Sequence, residues 1–149
     1  MLTSSINITN EPNAPEADTG FVRQGLRAYN NQFIHDAGFQ PLNLFLRRED
    51  GSIAGGLLGD IYWGWLSINI LWIDESLRHQ GYGERLIRLA EEEARKDGCL
   101  AVHLDTMSFQ AKPFYEKLGY TVFGVLDDLP VGHQRIFMWK KLTNNTGIQ

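Results

Sequence analysis

The sequence predicts an α/β (α+β) chain, a mixed sheet with helices packed on it, in 149 residues. Three observations carry this. Leu42, Leu44 and Leu46 alternate with Asn43, Phe45 and Arg47 and lead into Asp50-Gly51, a strong hairpin-turn signal. Between residues 66 and 106 an apolar strand, an amphipathic helix and a second apolar strand follow one another, a βαβ unit whose strands run parallel. Two last strand-like runs, residues 120–126 and 135–141, are joined by a loop over residues 127–132.

In chain order, Ile6 to Ile8 alternates apolar and polar residues and predicts a short strand. Residues 13–16 supply cap and Pro signals for a helix start, and Phe21, Val22, Leu26, Tyr29 and Phe33 then form one apolar stripe at helical spacing, interrupted by Gly25. The strand at residues 42–46 returns over residues 53–58. The next turn is expected across residues 59–64. Leu66, Ile68, Ile70 and Trp72 continue the alternation, and residues 70–73 are apolar on both faces, as a central strand requires. Residues 81–96 predict a long helix that buries Leu86, Ile87, Ala90 and Ala94. Glu84–Arg88, Glu91–Arg95 and Glu92–Lys96 are i,i+4 pairs in the favourable order, each worth roughly 0.2–0.5 kcal/mol. The run Glu91-Glu92-Glu93 reads as a solvated face. Gly98 closes the helix. Residues 100–106 form the next strand, with Leu100, Val102 and Leu104 on one face, and Pro113 opens a short helix ending at Gly119.

Composition sets bounds. With 43% hydrophobic and 21% charged residues the chain is an ordinary globular one. The net charge of −4 argues against a nucleic-acid binder built on a basic surface. Cys99, the single cysteine, cannot form an internal disulfide. The longest charge-free apolar stretch, residues 61–73, falls short of the roughly 20 residues a bilayer requires. Residues 1–10 lack the pattern of a signal peptide, so a cytoplasmic location is expected. His35, His103 and His133 show no ligand spacing, so no metal is expected.

The informative segment is Arg78-His79-Gln80-Gly81-Tyr82-Gly83, between the apolar strand and the long helix. Two glycines let the backbone approach a ligand closely. The N–H groups of the first helical turn have no intrahelical acceptor, and the helix dipole adds positive potential. This is an anion site suited to a phosphate or pyrophosphate. A P-loop would need a Gly-Lys pair, which the chain lacks. A dinucleotide fingerprint would need a third glycine where Leu86 stands.

The chain resembles the GNAT superfamily of acyl-CoA-dependent N-acetyltransferases. Residues 71–83 are similar to the family's acyl-CoA strand and pyrophosphate loop, and residues 111–120 (Ala-Lys-Pro-Phe-Tyr-Glu-Lys-Leu-Gly-Tyr) to its late helix motif. The resemblance runs from about residue 6 to 142 and implies one domain over residues 1–142, with 143–149 as a polar tail. The implied fold is a single mixed, mostly antiparallel sheet of about six to seven strands with helices on both faces. Glu75 departs from the family's usual Pro, and Ser108 from its usual Asn.

The resemblance implies acetyl-CoA as co-substrate. The strands at residues 66–73 and 100–106 would splay around the pantetheine arm, with the backbone of Leu71, Trp72 and Ile73 bonding it. Arg78, His79, Gln80, Gly81, Tyr82 and Gly83 would hold the pyrophosphate, and Ser108 and Phe114 would complete the cofactor contacts. Tyr115 matches the general acid that protonates the departing thiolate. Asp74, Glu75 or Asp105 would take the proton of the acceptor amine through water, or a water chain would carry it away with no dedicated base. The acceptor loops would be residues 30–42, 60–65 and 127–133, and the acceptor a small-molecule or peptide amine. Trp63 and Trp65 flank a turn beside them. The family also allows a homodimer through the last strands, and no nucleic-acid or membrane partner is implied. Two other readings compete: a non-catalytic acyl-CoA-binding sensor, and a nucleotide-binding regulatory domain.

Overall fold

A computed structural model describes residues 5–35 and 38–142 of the chain. It divides into two units, Met1–Asp36 and Ala37–Gln149. The tail at residues 143–149 lies outside the described residues.

In the first unit the helix predicted after the cap signals is α1 (Glu16–Asn30). Pro15 stands at its N-cap with extended backbone, and Glu16 and Asp18 place negative charge in the first turn, where the helix dipole favours it. Phe33 lies beyond the helix in a turn. Residues 6–8 are irregular rather than a strand. The alternation there is real, but three residues form a ladder only against a neighbouring strand, and none pairs with them among the described residues.

The second unit is a six-stranded mixed sheet. Its strands are β1 (Gln40–Arg47), β2 (Ile53–Tyr62), β3 (Trp65–Ile73), β4 (Ala101–Met107), β5 (Thr121–Asp127) and β6 (Gln134–Lys141), in the order β1-β2-β3-β4-β6-β5. The β3–β4 pair alone is parallel, and α2 (Tyr82–Lys96) makes the crossover, as the βαβ pattern requires. The turn expected over residues 59–64 is shorter: β2 runs on to Tyr62, and Trp63 and Gly64 turn it with φ of 51° and 79°. Two positive φ angles give the mirror-image turn that matches strand twist. Gly59 is a strand residue whose role is close packing, since a Cβ there would stand 2.6 Å from the Ser67 carbonyl oxygen.

α2 buries Leu86, Ile87, Ala90 and Ala94 as predicted. They share one core with Leu57, Leu66, Val102 and Met138 of the sheet and with Tyr115 and Leu118 of α3 (Lys112–Lys117) and its C-terminal end. Each such aliphatic side chain contributes about 1.5–3 kcal/mol. Two expectations change. Leu100 is exposed, and Val102, Leu104 and Thr106 form the buried face of β4. Glu91 is buried rather than solvated, because the buried stripe of α2 extends to it and Lys140 of β6 reaches its carboxylate at 2.7 Å. The pairs Glu84–Arg88 (3.1 Å) and Glu92–Lys96 (3.7 Å) form as expected.

Candidate active site

β3 and β4 part company halfway along. Their ladder runs from Trp65↔Ala101 to Ile68↔Leu104 and stops. On its other side β3 stays paired with β2 through Ile73, but with a bulge: Leu58 pairs with Ile70 and Gly59 with Ile68, leaving Asn69 as the extra residue. A bulge bends its strand and increases the local twist. The β4-facing backbone of Ile70, Leu71, Trp72 and Ile73 is thus left without a ladder partner, at the wall of a cleft.

The cleft has two limbs. The larger, about 810 Å³, is lined by Leu71, Trp72, Ile73, Arg78, His79, Gly81, Tyr82 and Gly83 on one side and by Phe109, Gln110, Ala111 and Phe114 on the other. The smaller, about 270 Å³, lies in the wedge itself, between Asn69, Ile70 and Leu71 of β3, Asp105 and Thr106 of β4, and Gln110 and Tyr115.

The loop at the floor of the larger limb is built by local chemistry. Asp74 caps a short 3-10 turn (Glu75–Leu77): its carboxylate accepts from the Ser76 backbone N–H at 2.9 Å. Hydrogen bonds from the Ser76 hydroxyl and N–H hold the Asp74 carboxyl below the usual range, with Arg48 adding a weaker pull across 3.7 Å. Arg78 donates from Nε to the Ile73 carbonyl at 3.0 Å, which ties its guanidinium to the end of β3 beside the cleft. His79 and Gly81 both take left-handed backbone, with φ of 60° and 85°. The first helical bond of α2 runs from the Arg85 N–H to the Gly81 carbonyl at 3.1 Å. The N–H groups of Tyr82, Gly83 and Glu84 therefore have no intrahelical acceptor and are available to an anion. Gly83 packs against Phe114, where a Cβ would meet the ring at 3.3 Å.

Tyr115 stands at the inner end. Its backbone N–H bonds the Ala111 carbonyl at 3.2 Å, and its ring packs edge-on against Phe114 and Tyr120. The residue is only 6% exposed. Burial first, and the Asp105 charge second, push the phenol up to about 12, so it is a neutral O–H donor at physiological pH. Asp105 in turn accepts from Arg135 Nε at 2.9 Å.

Most of the residues expected to hold a cofactor come together here: Leu71, Trp72, Ile73, Arg78, His79, Gly81, Tyr82, Gly83 and Phe114 all line the larger limb. Four others do not line either limb. Gln80 donates to the Ser76 carbonyl at 3.1 Å. Ser108 faces β6, its hydroxyl accepting from the Gln134 N–H at 3.0 Å. Asp74 is engaged in its cap, and Glu75 is an exposed residue of the 3-10 turn. Sequence reasoning missed Asn69, Thr106 and Gln110. Gln110 accepts from the Met107 N–H at 2.8 Å and fixes the turn between β4 and α3. A polar residue inside the apolar run of residues 66–73 was the available signal for Asn69.

A strand edge unzipped beside a helix terminus with free N–H groups, with a phenol in the wedge, brings the two sequence motifs to one cleft. The model of the Acetyltransferase (GNAT) family matches residues 9–120. The chain belongs to the GNAT family. It is 38% identical over 120 residues to an acetyltransferase of Agrobacterium fabrum, covering 80% of this chain and 88% of that one. It is 40% identical over 121 residues to the Blasticidin-S acetyltransferase of Streptomyces morookaense, covering 78% and 88%. Among solved structures it is similar to an acetyltransferase from Bacillus cereus, with a TM-score of 0.81, 35% identity, and coverage of 90% and 98%. This GNAT protein is an acyltransferase. No helix among its described residues is long and apolar enough to cross a membrane.

Proposed function

We propose that this protein transfers the acetyl group of acetyl-CoA to a primary amine by direct attack in a ternary complex. One observation carries the reading. The wedge between β3 and β4 joins an anion site at the α2 N-terminus to a phenol whose hydroxyl meets no protein partner among the described residues. In this reading Arg78 and the N–H groups of the loop bind the pyrophosphate. The free edge of β3 at Leu71, Trp72 and Ile73 bonds the pantetheine arm. A backbone N–H there polarises the thioester carbonyl, stabilisation of the oxyanion-hole kind.

A free amine is mostly protonated at neutral pH and must lose a proton before it attacks. Asp105 lines the wedge and receives that proton through water; Asp74 and Glu75 shape the loop instead. As the new C–N bond forms and the C–S bond breaks, Tyr115 donates its O–H to the sulfur, and the proton that the acylated nitrogen sheds returns to the phenol through water. Its raised pKa keeps that proton on the phenol until the thiolate develops. The relative named for blasticidin S supports a small-molecule acceptor. A dimer through β5 and β6, a cytoplasmic location and independence of metal belong to the same reading.

The test is release of free CoA thiol from acetyl-CoA with a panel of small primary amines, together with thermal shift by acetyl-CoA alone. A ligand at 100 times its Kd adds about 2.7 kcal/mol of stability. Amine-dependent thiol release with an N-acetyl product is the expected result. A thermal shift without release for any amine would point to a sensor module, and no shift at saturation would remove both readings.

A further inference from the structure

Two carboxylates lie on the sheet face opposite α2, Asp105 lining the wedge and Asp60 outside it on β2, and they differ in one respect. Asp105 has its own counter-cation in Arg135, at 2.9 Å. Asp60 of β2 has none: its Oδ2 accepts from Asn69 Nδ2 at 2.6 Å, and no Lys, Arg or His of the described residues lies within 4.0 Å of it. Asn69 is the bulged residue of β3 and lines the smaller limb, so the Asp60 carboxylate is one hydrogen bond removed from the cleft wall. The Ser67 hydroxyl donates to Asn69 Oδ1 at 2.9 Å and fixes the amide orientation, with Nδ2 turned to Asp60.

The surroundings suit a cation. Asp60 and Ser67 are cross-strand partners, as are Tyr62 and Trp65 two residues along. Strand alternation puts all four on one face, so the carboxylate is followed by two aromatic rings, the pairing that holds organic cations. The smaller limb lies beyond Asn69, and there Tyr115, more than nine-tenths buried, presents a hydroxyl without a protein partner among the described residues.

We infer that Asp60, oriented by Asn69, is a specificity-determining residue that binds a second positive charge on the acceptor, remote from the amine that is acetylated. This rests on the N-acetyltransferase reading. The reacting nitrogen sits where Ile70 and Leu71 face Tyr115 and Asp105, level with Leu58 and Leu57 and so two to three residues along β2 from Asp60. At about 3.3 Å per residue the two charges lie roughly 7–10 Å apart. The acceptor class is therefore an extended dication, a primary amine with a second ammonium or guanidinium at that reach.

The experiment compares two probes: an α,ω-diamine with nitrogens about 10 Å apart, chosen from the strand rise, and the amino alcohol of the same chain length. kcat/KM is measured for both with the full chain, its Asp60→Asn and Asp60→Glu variants, and Glu92→Gln on the outer face of α2 as a control. Asn keeps an acceptor oxygen for Asn69 and removes only the charge. The expected preference of the wild type for the diamine is about tenfold. That ratio falls to near one in Asp60→Asn, is largely kept in Asp60→Glu, and shrinks with added salt. A ratio unchanged by Asp60→Asn, with both probes acetylated, overturns the inference and leaves the N-acetyltransferase reading standing. Acetylation of neither probe nor any other amine by the wild type, despite acetyl-CoA binding, overturns both.

Discussion

Lys140 Nζ lies 2.7 Å from Glu91 Oε2, inside the protein rather than on it. The Glu91 side chain is 1% exposed and that of Lys140 19%. The pair ties β6 to α2 across the core, and Lys140 also stands 5.6 Å from the centre of the Tyr120 ring. Tyr120 packs against Tyr115, so this ion pair reaches the wedge in two contacts.

Breaking the pair leaves one charge buried without its partner. Glu91→Gln or Lys140→Met is expected to cost about 3 kcal/mol or more, a fall of roughly 6–12 °C in Tm. Replacing both residues with Met recovers most of that loss, because an apolar pair of similar volume needs no compensation. Thermal denaturation of the two single variants and the double variant checks this.

Tyr120 is a different case. Its hydroxyl is buried and finds no hydrogen-bond partner among the described residues. Tyr120→Phe keeps the ring contacts with Tyr115 and Lys140 and removes an unsatisfied group. The variant is expected to match or exceed wild-type stability by about 1 kcal/mol at neutral pH. A loss of that size in a denaturant titration would show that the hydroxyl has a partner when the protein is in water.

Tyr115→Phe is expected to lower kcat by about 10²–10⁴-fold, the usual share of a general acid, while KM for acetyl-CoA changes little. Tm and the thermal shift by acetyl-CoA serve as the folding and binding controls. Acetylation at the wild-type rate would remove the role.

Gly81 and Gly83 separate backbone strain from crowding. Gly81 has φ of 85° with open space around it, so Ala there strains the loop by about 1–2 kcal/mol. Gly83 has an ordinary φ but touches Phe114. Both Ala variants are expected to raise KM for acetyl-CoA about fivefold with kcat largely kept, the signature of lost uniform binding. Steady-state kinetics at saturating amine reads it.

The alkaline limb of stability follows from the phenols. Tyr115 moves from 10.0 to about 12 on folding, and burial moves Tyr120 in the same direction. A folded pKa above the unfolded value contributes stability that is full below pH 10 and is lost as pH rises through the folded value. For Tyr115 the loss is about 2–3 kcal/mol. Tm measured from pH about 9 to about 12 is expected to fall more gently in Tyr115→Phe than in the wild type.

The order of β1 to β6 with their helices, the parallel βαβ unit and the glycine turn into α2 were legible in the residues alone. Those rest on local rules: alternation in Leu42–Leu44–Leu46, helical spacing in Leu86–Ile87–Ala90–Ala94, and glycine at Gly81 and Gly83. A motif match singled out Tyr115, and the fold puts it in the wedge. What the sequence misread was whatever depended on distant partners. Glu91 looks solvated until Lys140, 49 residues on, arrives beside it. Ile6–Ile8 alternates but meets no strand among the described residues. Nothing local in the sequence shows that the Ser108 hydroxyl meets the backbone of Gln134, 26 residues on. Gly59 reads as a turn and is a close-packed strand residue. Asn69 and Asp60 have no common signature in sequence. A one-residue bulge and an antiparallel register bring the amide and the carboxylate together, and side-chain pairs across a sheet are fixed by register, which only the assembled tertiary structure decides.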